Sequence, residues 1–154
     1  MILDGGAAEH GVESTVVTAS GGELALLRPG AVTADDIERI AGRAIIRPQS
    51  DAQQPSSPGQ LLSHYAPAAR LRLDAKEARE GEALLAFGRA VPSKGFVINL
   101  SPSGSLTEAA ANLFASLRAF DVAGSAAVAV MSIPETGVGV AINDRLRRAA
   151  APRP

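Results

Sequence analysis

Residues 96–131 read FVINLSPSGSLTEAAANLFASLRAFDVAGSAAVAVM, and this stretch decides the fold class. Residues 96–100 and 126–131 are short apolar runs bounded by Ser, Pro and Gly, the pattern of buried strands. Between them Leu106, Ala110, Leu113, Leu117 and Phe120 recur at steps of four and three, which places them on one face of a helix. Ser105, with Glu108 three residues on, has the form of a capping box, and Gly124 supplies a C-terminal stop. A strand, a helix and a second strand in this order, within a chain that alternates the two, predict a mostly parallel sheet in an α/β layer.

The pattern extends in both directions. Residues 71–73 and 83–87 add two more short apolar strands. A second helix follows Gly139, with Val140, Leu146 and Ala149 facing inward. Arg145, Arg147 and Arg148 lie toward its C-terminal end, where cations complement the helix dipole. Gly137 and Gly139 precede this helix, but Ile142 stands where a dinucleotide-binding fingerprint needs its third glycine. The pair reads as a tight turn that lets helix and strand pack closely. No internal repeat is visible.

The opening block is organised differently. Residues 12–18 are rich in β-branched side chains, Gly21 and Gly22 mark a turn, and residues 24–27 are apolar again, which predicts a hairpin or adjacent strand pair. Arg28-Pro29-Gly30 breaks the strand. Thr33 is a good N-cap, answered by Asp36 and favoured by Asp35. Ile37 and Ile40 give this short helix an apolar side, and Gly42 can close it. Two strands and one short helix are too little to enclose a core. The expectation is that the chain begins inside a domain whose earlier part lies upstream.

Between these blocks, residues 47–67 shift to Pro, Ser, Gln and Gly, which disfavour helix and strand alike. Composition alone describes a flexible linker. Yet the segment holds His64, one of two histidines, and Tyr65, the sole tyrosine. A bare spacer needs neither ring, and Pro58 and Pro67 narrow the backbone choices around them.

The totals bound the function. The 154 residues suit one ordinary domain or two small ones. Apolar residues make up 46% and aromatics 3%, so the core is built of Ala, Val, Leu and Ile. A net charge of −1 argues against a strongly basic nucleic-acid grip. The absence of cysteine excludes disulfides and thiolate metal sites. No apolar run approaches the roughly 20 residues of a membrane span, and the N-terminus lacks the basic and apolar regions of a signal peptide. A soluble cytoplasmic protein without membrane partners is expected.

Four positions could carry chemistry. Ser14 and Thr15 are adjacent in a predicted strand, so one hydroxyl can face a cleft while the other packs. Arg28 stands at a strand end, where α/β proteins gather ligands, and its guanidinium fork matches phosphate or carboxylate oxygens. His64 and Tyr65, in a proline-stiffened loop, can close over a base or phosphate at reduced entropic cost. For Ser14 and Arg28 the residues alone favour the plainer reading, a common Ser–Thr pair in which Thr15 is simply a good strand former and a solvated surface arginine. No nucleophile–base constellation and no metal-ligand pattern is present.

Three stretches now converge: ILDGG…GVESTVV…LLRPGAVT, then SPGQLLSHYAP, then GVGVAINDRLRRAA. In this order they resemble the threonylcarbamoyl-AMP synthase family, whose catalytic domain is YrdC-like. The resemblance implies three parts: the C-terminal fragment of the α/β catalytic domain in residues 1–47, a linker in 48–67, and a small Rossmann-like α/β domain in 68–154. It implies the joining of L-threonine, bicarbonate and ATP into threonylcarbamoyl-AMP with release of pyrophosphate, with Mg²⁺ accompanying ATP. The product serves a downstream tRNA-modifying transferase complex that makes threonylcarbamoyladenosine. The resemblance assigns Ser14 to L-threonine and Arg28 to the ATP phosphates, and has the linker, with Ser57, His64 and Tyr65, fold over the nucleotide. The chain departs from the family in two ways. Its first lysine is Lys76, so the family's N-terminal Lys/Arg-rich phosphate grip has no counterpart, and Leu62 replaces an aromatic residue. The isolated chain is therefore expected to be inactive without the N-terminal catalytic half. The competing expectation is a nucleotide-binding regulatory module that works with a separate catalytic chain.

Overall fold

Two sheets organise the chain, and the fold is α/β as the alternation of strands and helices predicts. The computed structural model describes residues 1, 3, 6, 9–47, 66–89 and 93–152. Residues 48–65 of the expected linker lie outside the described residues.

The first sheet is formed by β1 (Val16–Ser20), β2 (Glu23–Arg28) and β3 (Ile45–Ile46), with α1 (Ala34–Ala41) between β2 and β3. β1 and β2 pair antiparallel through the Gly21–Gly22 turn, and β3 adds parallel to β2, with Leu24 opposite Ile45. The strand expected from residue 12 begins only at Val16. Residues 11–15 instead run as irregular chain, where hydrogen bonds to the neighbouring turn replace ladder bonds. The Thr33 hydroxyl accepts from the Asp36 amide at 3.1 Å and caps α1, while Gly42 ends it in the left-handed conformation at φ 66°. β3 escaped the sequence reading because two isoleucines carry no periodicity. It is fixed from outside by the Glu38 carboxylate, which accepts from the Ile45 amide at 2.8 Å. Ile37 packs beneath the sheet with Leu24, Leu26 and Ile45. Ile40 does not join it and is 76% exposed, so the expected two-isoleucine face is a single contact.

The second sheet is all parallel, in the order β4-β7-β5-β6. Its strands are β4 (Arg70–Ala75), β5 (Ala83–Ala86), β6 (Val97–Asn99) and β7 (Ala127–Met131). Helices α2 (Leu106–Val122) and α3 (Gly139–Ala150) pack on one face. There Leu85, Leu100, Leu113, Phe120, Val128 and Ile142 are fully buried. Each contributes about 1.5–3 kcal/mol of apolar burial. The opposite face is thinner, a cluster of Ala75, Leu84, Ala86 and Ala129 with Ala78 against it. Because β7 lies between β4 and β5, residues 76–82 must cross it to join the two. Arg72 pins that crossing, with Nε and Nη2 on the Glu82 carboxylate (2.9 and 2.5 Å) and a further contact from Nη2 to the Glu77 carbonyl at 3.1 Å.

The capping box of α2 is only half formed. Ser105 accepts from the Glu108 amide at 3.3 Å, but the Glu108 carboxylate does not return to the Ser105 amide. Ser101, fully buried at the end of β6, intercepts both. Its hydroxyl donates to Glu108 Oε2 at 2.5 Å and accepts from the Ser105 amide at 2.8 Å. Gly124, at φ 67°, closes α2, with amide bonds from Gly124 to Asp121 and from Ser125 to Phe120.

Candidate functional site

The expected site residues Ser14 and Arg28 are brought together. Arg28 ends β2, and only 8% of its surface is exposed, so it is not a solvated cation. Its Nε donates to the Ser14 carbonyl at 3.1 Å and its Nη2 to Ser14 Oγ at 3.2 Å. Ser14 itself is exposed. Its neighbour turns the other way: Thr15 Oγ1 donates to the Val32 carbonyl at 2.6 Å and ties residues 11–15 to the chain leading into α1. The two adjacent hydroxyls thus have separate partners, one held by a guanidinium and one spent on the backbone.

The turn after Arg28 fits this segment closely. A Cβ at Gly30 would lie 2.3 Å from the Thr15 nitrogen and 2.5 Å from the Glu13 oxygen. No side chain is compatible with those distances, so glycine is what allows the Pro29–Gly30 turn to lie on residues 13–15. Below the turn is a cavity of about 120 Å³ whose lining includes Pro29, Thr33, Arg47, Glu135 and Thr136. A wider hollow of about 770 Å³, lined by Arg79, Glu82, Lys94 and Phe96, lies elsewhere. It opens beside the first residues of β5 and β6, whereas ligands of parallel sheets gather at the strands' carboxyl ends. Ser14 and Arg28 do not line the larger hollow.

A cation shielded from water attracts an anion more strongly than one in bulk solvent. With its guanidinium held on Ser14, Arg28 sets a positive charge beside the exposed serine, a charge that suits phosphate or carboxylate oxygens, while the serine hydroxyl offers a small polar contact. Ser57, His64 and Tyr65 lie outside the described residues. Among the described residues no group of three or more His, Asp or Glu side chains is placed to hold a metal ion, and no helix is long and apolar enough to cross a membrane.

Sequence reasoning missed Arg145. Read as a helix-end cation, it is instead fully buried. Its Nε donates to Glu13 Oε2 at 2.7 Å, its Nη2 to the Pro29 carbonyl at 3.1 Å and its Nη1 to Asp144 Oδ2 at 2.5 Å. A signal was present: Arg145 lies three residues after Ile142 and four before Ala149, both buried, so it belongs to the inward stripe of α3. Arg147 faces outward and pairs with Glu135 at the surface.

Comparison with known proteins places the chain in a family and matches its fold. The family model described as the C-terminal domain of threonylcarbamoyl-AMP synthase matches residues 32–151. The threonylcarbamoyl-AMP synthase of Bacillus subtilis is 34% identical over 99% of this chain and 49% of its own length. That of Pyrococcus abyssi is 31% identical over 99% of this chain and 49% of its own. The crystal structure of P. abyssi Sua5 complexed with L-threonine superimposes with a TM-score of 0.80 at 30% identity, covering 96% of this chain and 48% of that one. A second structure of that protein, with a neighbouring His-Tyr pair replaced by alanines, also gives 0.80 at 28% identity. The chain spans about half the length of the curated relatives it matches. With the family's C-terminal domain model covering most of its length, this chain belongs to the threonylcarbamoyl-AMP synthase family.

Proposed function

We propose that this chain is the C-terminal part of an L-threonylcarbamoyladenylate synthase, which makes threonylcarbamoyl-AMP and pyrophosphate from L-threonine, bicarbonate and ATP. Residues 1–47 end the catalytic domain, 48–67 form a linker and 68–154 a Rossmann-like domain. The observation that carries the reading is the buried Arg28 guanidinium joined to the exposed Ser14, in a chain 30% identical to a protein crystallised with L-threonine.

In this reading Ser14 contacts threonine and Arg28 the nucleotide phosphates. The threonine amine attacks the carbon of bicarbonate and water is lost, which gives N-carboxy-threonine. One oxygen of that carboxylate attacks the α-phosphorus of ATP, the bond to the β-phosphate breaks, and pyrophosphate leaves. Negative charge grows on the α-phosphoryl oxygens, and a fixed guanidinium stabilises it without reorganising. The product is a mixed anhydride that water destroys. Residues 48–67, with Ser57, His64 and Tyr65, cover the adenylate and keep water out. The alanine replacement of a His-Tyr pair in the P. abyssi protein supports attention to this dipeptide, because His64–Tyr65 is its one occurrence here. Mg²⁺ would accompany the ATP phosphates as part of the substrate. The product passes to a tRNA-modifying transferase in the cytoplasm.

The test is a fusion of the N-terminal half of the B. subtilis relative to this chain, assayed for pyrophosphate release. Release that requires threonine and bicarbonate, and is lost in Arg28→Ala, is expected. A folded fusion that releases pyrophosphate equally without threonine overturns the reading.

A further inference from the structure

Arg145 touches the chain one residue before Ser14 and one residue after Arg28. Its Nε reaches the Glu13 carboxylate at 2.7 Å and its Nη2 the Pro29 carbonyl at 3.1 Å. These two contacts bracket the Arg28–Ser14 pair. Both come from α3, on the second sheet, more than a hundred residues away in sequence. The guanidinium is itself held: its third contact is to Asp144, whose carboxylate also takes Arg148 at 3.0 and 3.1 Å.

We propose that Arg145 is a positioning residue, through which the C-terminal α/β unit sets the spacing of Ser14 and Arg28. The physical reasoning has three steps. A fully buried guanidinium is costly unless its donors are met, and here they are met by groups on both segments that carry the expected ligand residues. A planar fork fixes direction as well as distance, so moving either segment breaks a bond that burial makes expensive to lose. The second contact between the units is steric and independent. A Cβ at Gly11 would lie 2.4 Å from the Ala110 oxygen, so residues 11–13 lie directly on α2 and have little room to shift. Val12 packs against the core beneath α2 and α3. As a statement about geometry the proposal stands alone. As a statement about turnover it rests on the function proposed above.

The geometry is tested on this chain by NMR. Arg28 Nε–H donates to the Ser14 carbonyl, so its exchange with solvent reports the pair directly. In Arg145→Met that exchange is expected to accelerate about tenfold or more, the effect of weakening a buried hydrogen bond by its ordinary worth. Arg145→Lys keeps the charge but cannot span both Glu13 and Pro29, and should fall between Met and wild type. It also serves if the methionine variant does not fold. Arg147→Ala, on the same helix but at an exposed ion pair, should match wild type. Unchanged Arg28 Nε–H exchange in Arg145→Lys and Arg145→Met overturns the proposal.

Turnover is read in the fusion. Arg145→Lys is expected to raise the threonine KM and lower kcat, about a hundredfold together, as misplacements of around an ångström do. Wild-type kcat/KM in a folded Arg145→Lys fusion overturns the catalytic part and leaves the synthase reading intact. A fusion without threonine-dependent release overturns that reading, and the exchange measurement still decides the positioning role.

Discussion

Arg28 holds Ser14 twice, at the carbonyl by Nε (3.1 Å) and at the hydroxyl by Nη2 (3.2 Å). Two donors of one rigid plane on two atoms of one residue fix the serine's position and its rotamer together. Lysine has one nitrogen and cannot make both contacts. Arg28→Lys is therefore expected to lose about 1–3 kcal/mol of stability. Ser14→Ala, which removes only the hydroxyl contact at an exposed position, should lose less than about 1 kcal/mol. Urea denaturation of the two variants checks the order; an equal cost would mean that the carbonyl contact carries nothing.

Gly30→Ala tests the fit of the turn against residues 13–15. The added Cβ meets backbone atoms of Thr15, Glu13 and Ser14 at 2.3 to 2.6 Å, and backbone cannot rotate away as a side chain can. The turn must lift, at a cost of about 1–3 kcal/mol or more. Gly21→Ala is the control. Its Cβ has open space around it but a φ of +59°, so it carries only left-handed strain of about 1–2 kcal/mol. Only Gly30→Ala should also perturb the NMR signal of the Arg28 guanidinium. Equal effects of both substitutions on that signal would show that the close approach is not what holds the site.

The parts of the fold that could be read in advance are those where period and punctuation agree. Residues 96–131 gave a strand, a capped helix and a strand because apolar spacing, Ser105 and Gly124 all marked the same boundaries. Thr33, Asp36 and Gly42 did the same for α1. Reading failed where a contact with a distant segment decides. β3 is a strand because β2 and Glu38 make it one. Glu108 abandons its capping role because Ser101, across the turn, offers a buried hydroxyl. Arg28 has the look of a surface cation, and only the fold puts Ser14 over it. Arg145 was visible as one position of an inward stripe, but its partners at Glu13 and Pro29 are invisible in any local window.

Acid should loosen the crossing between β4 and β5. The Arg72 guanidinium, bonded to the Glu82 carboxylate, and the Arg79 amide beside it pull the glutamate's pKa from an ordinary 4.5 down to about 2. The folded state therefore binds the proton more weakly than the unfolded state. The resulting stabilisation is fully present above pH 4.5 and is lost as the pH falls toward 2. Glu82→Gln removes the ionisable group, so it should melt at a lower temperature than wild type at pH 7. The difference should shrink between pH 4.5 and 2. A pH-independent difference in Tm would show that the pair contributes packing alone.

Ser101→Ala probes the relay that replaces the capping box. Ser101 is fully buried, and its hydroxyl serves Glu108 Oε2 and the Ser105 amide together. Alanine fills nearly the same space but leaves the Ser105 amide and one carboxylate oxygen without that partner in a part-buried network. Such orphaned groups cost about 1–3 kcal/mol. Ser103 also contacts Glu108 Oε2, at 3.1 Å, but from an exposed position where water can substitute, so Ser103→Ala should cost less than about 0.5 kcal/mol. If Glu108 returned to the Ser105 amide in the absence of Ser101, the box would form as the sequence suggests and the loss would fall below 1 kcal/mol. Paired denaturation curves for Ser101→Ala and Ser101→Ala with Glu108→Ala, which leaves no acceptor for the amide, separate the outcomes. A double variant no worse than the single one means that the carboxylate acts only through Ser101, and an additional loss means that it has found the amide.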